Sequence, residues 1–198
     1  MRSSFVLIAC LSLVAIPHAA HADTIDNFTA TTTTDGVLNG IEFLSTVTIT
    51  GSYDVSDIIE ESSGVFEAPT TFTYTIAGVG TVTSTTTDDI FVNQNNGTVG
   101  VSDSFDGDML DTQNSLYDAY NLSSAIGPVV GTTVVTADED HTTGGTLALD
   151  TAFPDGSTTF TVTSSSTPAV TPEPASLALL GTGLMGLVGV GRRRFLKS

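Results

Sequence analysis

The residues best placed to do chemistry are Asp103, Asp106, Asp108 and Asp111, within Asp103-Ser104-Phe105-Asp106-Gly107-Asp108-Met109-Leu110-Asp111. Calcium-type cations take several oxygen ligands from a segment that turns sharply, and Gly107 supplies such a turn. The run therefore predicts a Ca²⁺-binding loop, although its spacing is not that of an EF-hand. Asp88-Asp89 is a smaller acidic pair. His141, in Asp138-Glu139-Asp140-His141, is the one histidine beyond His21. A Ser-His-Asp site would have to use it, and the acidic run around it reads as a solvated loop. No Gly-x-Ser-x-Gly, His-Glu-x-x-His or phosphate-loop pattern occurs. A carboxylate pair for glycoside hydrolysis is defined by separation in space, which positions along a chain do not give. The expectation is a protein without catalytic activity and with no cofactor other than Ca²⁺.

The charge pattern narrows the partners. Between Asp23 and Val170 stand 21 carboxylates and not one Lys or Arg. No ion pair with those side chains can form there, so each carboxylate must be solvated, hydrogen-bonded or bound to a cation. Nucleic acid is excluded as a partner, because neutralising phosphates requires Lys or Arg. Anionic lipid is disfavoured for the same reason. The segment has no Cys, so disulfides are excluded, and no Trp. Any stacking platform for a sugar would have to come from Tyr53, Tyr74, Tyr117 or Tyr120.

These residues must be carried by strands. Apolar and polar residues alternate with period two in 46–50, 71–76 and 159–163, the pattern of half-buried antiparallel strands. Further strands are expected at 37–44, 79–85, 90–93, 98–104, 132–136 and 146–149. Asn95-Asn96-Gly97 marks a hairpin turn. One helix-like stretch is expected at 115–126, with Leu116, Tyr120 and Leu122 on a shared face. Short strands separated by turn signals predict a mainly β, antiparallel, sandwich-like domain over residues 23–163. Many of the 34 Thr fall in Thr-x-Thr patterns. Flat rows of them would order water and suit ice binding. The plainer reading is that Thr favours strands and covers a solvent face without charge.

The two ends carry addresses. Arg2, the apolar run 5–16 and Ala20-His21-Ala22 form a signal peptide, residues 1–22, with cleavage after Ala22 and a mature start at Asp23. Ser164 to Thr171 reads as a polar linker. Pro172 and Pro174 hold Glu173 extended and non-helical. The uncharged residues 175–191 follow. As a helix they would span roughly 26 Å, enough for a single transmembrane segment on the short side. Arg192, Arg193 and Arg194 then place the C-terminus on the cytoplasmic side.

Thr171-Pro172-Glu173-Pro174-Ala175-Ser176-Leu177, the Gly/Leu run and the terminal Arg cluster resemble the PEP-CTERM sorting tail, which has also been labelled an ice-binding protein C-terminal domain. The resemblance covers residues 171–198. It implies export through the Sec machinery across the inner membrane, transient anchoring there by the C-terminal helix, and processing by exosortase, a membrane peptidase that reads Pro-Glu-Pro. The product would reach the cell surface or the extracellular space in a setting rich in exopolysaccharide. The expected role is structural or adhesive. The alternatives are a glycan- or ice-binding module and, further off, a carboxylate-based glycan hydrolase.

Overall fold

The computed structural model describes residues 24–103, 107–134, 138–150 and 156–166. Two long strands set its frame. β1 (Thr24–Leu38) and β2 (Ile41–Asp54) form a hairpin paired from Ile25–Asp54 to Leu38–Ile41. Its turn is Asn39-Gly40, with φ of 49° and 80°. A two-residue turn that matches strand twist needs both residues left-handed, and Asn-Gly is the pair that tolerates it. The expected strand 37–44 is therefore corrected to a turn with a strand on each side. β1 itself was hidden because Thr31-Thr32-Thr33-Thr34 shows no alternation in residue type. Alternation is present in burial all the same, with Thr32 and Thr34 facing inward.

The remaining strands are β3 (Ile59–Ser62), β4 (Val65–Thr70), β5 (Thr73–Ile76), β6 (Gly80–Thr83), β7 (Asp88–Asn93), β8 (Thr98–Asp103), β9 (Gly107–Gln113), β10 (Ile126–Val134), β11 (Glu139–Thr142), β12 (Gly145–Leu149) and β13 (Ser157–Ser166). They are hydrogen-bonded in the order β3-β4-β7-β8-β9-β10-β13-β1-β2-β5-β6, and β11 joins through β12 to the end of β1. The pairing is antiparallel throughout. The mainly β, antiparallel expectation holds. Where a sandwich of two sheets was expected, the described residues form one open sheet along a continuous path.

Both arms of this path feed one core. Phe28 lies 5.7 Å from Phe72, edge to face, and 6.3 Å from Phe160, stacked. Tyr117 meets Phe160 edge to face at 6.0 Å. Ile49, Ile90, Val101, Met109 and Leu147 complete the interior. The Tyr53 hydroxyl donates to the Leu122 carbonyl at 2.8 Å, tying β2 to the connection after β9.

That connection corrects the expected helix at 115–126. Only Ser115–Tyr117 forms a 3₁₀ turn, capped by Asn114, whose side chain accepts from Leu116 N. Asn121 then accepts from the backbone and hydroxyl of Ser123, an Asx turn that competes with helix. Leu116 points outward while Tyr117, Tyr120 and Leu122 are buried, so the expected shared face is absent. At the other end β13 runs to Ser166, three residues into the expected linker. Ser165 Oγ donates to the Ile25 carbonyl at 2.7 Å there.

Candidate functional site

Of the four predicted calcium ligands, the three that are described lie on two strands, Asp103 on β8 and Asp108 and Asp111 on β9. Asp106 lies outside the described residues. Asp108 and Asp111 belong to β9, where a bulge opposite Val101–Ser102 brings these residues, three apart, to the same face. Asp111 pairs with Gly100 and Asp108 with Ser102, on the outer face of β8. Asp103 pairs with Gly107 at the end of β8 and is buried on the inner face. Asp103 is thus separated from Asp108 and Asp111 by the thickness of the sheet. On the outer face, burial and then the charge of Asp108 push Asp111 up to about 7. Glu67, on neighbouring β4, is likewise pushed up to about 7 by burial and then by Glu61.

Asp103 has different company. The register that pairs Asp89 with Ser102 sets Asp88 opposite Asp103 one step further on. Asp140, from β11, closes the group. One carboxylate oxygen from each of Asp88, Asp103 and Asp140 lies within 4.8 Å of the others. Asp88 and Asp140 are fully buried. Asp88 Oδ1 accepts from Thr86 Oγ1 at 2.7 Å, while its Oδ2 and both oxygens of Asp140 lack a hydrogen bond of good geometry, although Tyr74 and Ser84 stand close enough to Asp140 to favour its charged form. Burial pushes Asp88 up to about 6 and raises Asp140. Tyr74 of β5, also fully buried, brings a hydroxyl without a hydrogen bond of good geometry to the same cluster. Burial first, then the Asp140 carboxylate, hold that hydroxyl well above its ordinary value. Sequence reading placed Asp140 and His141 in a loop. They lie on β11, with Asp140 inward and His141 outward.

A second constellation spans the outer face of the other arm. Backbone register aligns Thr161–Thr29–Thr50–Thr73–Thr83 across β13, β1, β2, β5 and β6. The neighbouring row is Thr159–Thr31–Thr48–Thr75–Thr81. Thr33–Thr46 extends the grid on one side and Thr163–Asn27–Ser52 on the other. These side chains are exposed or half-buried, and none carries a charge. Hydroxyls of adjacent strands touch: 3.4 Å for Thr31–Thr48, 3.3 Å for Thr33–Thr46, 3.4 Å for Thr73–Thr83 and 3.2 Å for Thr75–Thr81. Strand geometry sets the repeat at about 4.8 Å across strands and about 6.7 Å along them. A shallow depression of about 700 Å³ opens beside the grid, lined by Asn27, Thr29, Thr50, Ser52, Thr71 and Thr73 among others.

All four tyrosines lie in the core. None is available as a sugar-stacking platform, so the Tyr-lined cleft that would have favoured glycan stacking is ruled out.

The expected signal peptide with Ala20, Ala22 and Asp23, the sorting triplet Pro172-Glu173-Pro174, the segment 175–191 and the expected anchor Arg192–Arg194 all lie outside the described residues. Among the described residues no helix is long and apolar enough to cross a membrane. What the C-terminal end shares with known proteins is its sequence. The class it points to is that of proteins addressed by a C-terminal sorting tail. Residues 170–194 match the PEP-CTERM protein-sorting motif. The motif implies an exported protein with a membrane-anchored tail that exosortase processes. No curated protein and no solved structure matches the chain.

Proposed function

We propose that the β domain is a non-catalytic, adhesive module of the cell surface or extracellular matrix, delivered there by its sorting tail. The contact face is the Thr grid, and the partner is exopolysaccharide. The supporting observation is the register of the grid: two rows of five Thr without a charge, in a segment with 21 carboxylates. Each hydroxyl donates and accepts, and each methyl is apolar, so the surface matches a chain of sugar hydroxyls without repelling an anionic polymer. Contact runs through hydroxyls and methyls, since the tyrosines are buried.

The same register favours one second reading, ice binding, in which ordered water takes the place of the sugar. A crystal plane is rigid, whereas the twist of neighbouring strands turns successive rows relative to one another. A flexible polymer follows such a surface better than a lattice does.

Retention of the protein on polysaccharide from the producing cells tests the proposal. Thr31→Val with Thr48→Val, at the grid centre, removes two hydroxyls while keeping the branched shape, and should cut retention at least tenfold while the circular dichroism stays that of the parent. Retention that is unchanged sinks the adhesive reading. Inhibition of ice recrystallisation by the parent, lost in the same variant, replaces it with the second reading.

A further inference from the structure

We propose that Asp88, Asp103 and Asp140 form an interior site for a divalent cation of the calcium class, which clamps the β11–β12 hairpin to β7 and β8. Three observations carry this. First, the register sets Asp88 opposite Asp103 on adjacent strands. Like charges directly opposite one another destabilise a sheet, and here a third carboxylate from a separate hairpin is added to them. Second, the interior leaves oxygens unused. Both oxygens of the fully buried Asp140 and one of Asp88 lack a hydrogen bond of good geometry, and a buried carboxylate left in that state is costly. Third, Tyr74 comes from another strand and is fully buried, and its hydroxyl interacts with the Asp140 carboxylate without a hydrogen bond of good geometry. An additional oxygen-binding guest at the centre satisfies all of these atoms together.

The guest must be a cation, and the described residues supply none. No Lys or Arg occurs between Asp23 and Val170, and His141 faces outward from β11. Oxygens within 4.8 Å of one another can share one ion with ligand distances of about 2.3–2.6 Å, the calcium range. Three carboxylates offer up to six oxygens, and Ca²⁺ takes six to eight. Thiol and imidazole ligands are missing from the group, which argues against zinc or copper.

Titration of the full-length protein, freed of metal with EDTA, with CaCl₂ and separately with TbCl₃ tests the site. Tb³⁺ stands in for Ca²⁺ and emits when a nearby tyrosine is excited. The chain should bind one ion, with emission excited through Tyr74. Asp140→Asn should weaken binding at least tenfold. Tyr74→Phe should retain Ca²⁺ binding and lose most of the sensitised emission. Asp108→Asn with Asp111→Asn, on the outer face, should bind as the parent does, which guards against a general effect of lowered charge. Absence of stoichiometric binding at millimolar Ca²⁺ would falsify the proposal. So would equal loss in the outer-face variant, which would reduce binding to diffuse screening.

Discussion

Along β13-β1-β2-β5-β6 the central outward positions are Thr in register, with the carboxylates Asp35, Glu42 and Asp54 towards the strand ends, whereas along β4-β7-β8-β9 they include Glu67, Asp89, Asp108 and Asp111. The two arms share one sheet and one core, yet their outer faces respond to neighbours in opposite ways. A Thr hydroxyl both donates and accepts, so adjacent Thr satisfy each other, as the 3.2–3.4 Å contacts do. An ionised carboxylate only accepts and repels its like. Crowding carboxylates therefore raises their proton affinity, and Glu67, Asp89, Asp108 and Asp111 are all raised, with burial as the largest cause. One face is indifferent to pH and salt, and the other is set by them. The separation leaves the Thr face free to meet a neutral or anionic surface in a strongly acidic domain.

The largest effect tests what the arms have in common. Phe28 sits inside β1 between Phe72 and Phe160, and its neighbours on the strand, Asn27 and Thr29, belong to the outer grid. Phe28→Ala should cost about 3–5 kcal/mol, as loss of a buried Phe does. Chemical denaturation should show one transition shifted to lower denaturant for both arms. Two transitions, with the acidic arm unshifted, would mean that the arms do not share a core.

A second test separates the arms by pH. Glu67 goes from 4.5 to about 7 and Asp111 from 3.8 to about 7 on folding. Below about pH 3 both groups are largely protonated in the folded and the unfolded chain, and neither affects stability. As pH rises through the unfolded values, the unfolded chain ionises first and stability falls, until the folded groups ionise near pH 7. In EDTA the melting temperature should therefore be higher at pH 5 than at pH 8. The groups opposing ionisation are Glu61, Asp89 and Asp108 around Glu67, and Asp108 beside Asp111. Asp111→Asn should flatten the slope and raise the melting temperature at pH 8. A domain more stable at pH 8 than at pH 5 contradicts the assignment.

The two arms were not equally legible in sequence. Thr-x-Thr alternation located β2, β5 and β13, and Asn96-Gly97 located the turn between β7 and β8. The grid itself was not legible. Alternation assigns each Thr to a face but does not say that β13 pairs with β1, or β2 with β5. That is a matter of strand order between segments more than 100 residues apart in the first case. Asn39-Gly40 was a readable turn signal inside an apolar stretch and would have split the strand expected at 37–44. The interior acidic group around Asp103 was not legible for a more basic reason. Closeness along the chain favoured 103–111, but a strand sends alternate residues to opposite faces, and here that sets Asp103 apart from Asp108 and Asp111. Its interior partners Asp88 and Asp140 come from two other strands, joined by pairing that no local pattern encodes.

The smallest effect is the sharpest test of the contrast between hydroxyl and carboxylate faces. Thr31 and Thr48 face each other across β1 and β2 with hydroxyl oxygens 3.4 Å apart. Replacing each with Val keeps the branched shape and strand preference and removes the hydroxyl. A double-mutant cycle should give a coupling of about 0.2–1 kcal/mol, the range for cross-strand pairs. Because neither group ionises, the coupling should be the same at pH 5 and pH 8 and unchanged in high salt. The parallel cycle on Glu67 and Asp89, each changed to its amide, should give a repulsive coupling that grows between those pH values and shrinks with salt. If the Thr pair proves as sensitive to pH and salt as the acidic pair, the grid lies within the field of the carboxylates. The neutrality that suits it to an anionic polymer would then be lost.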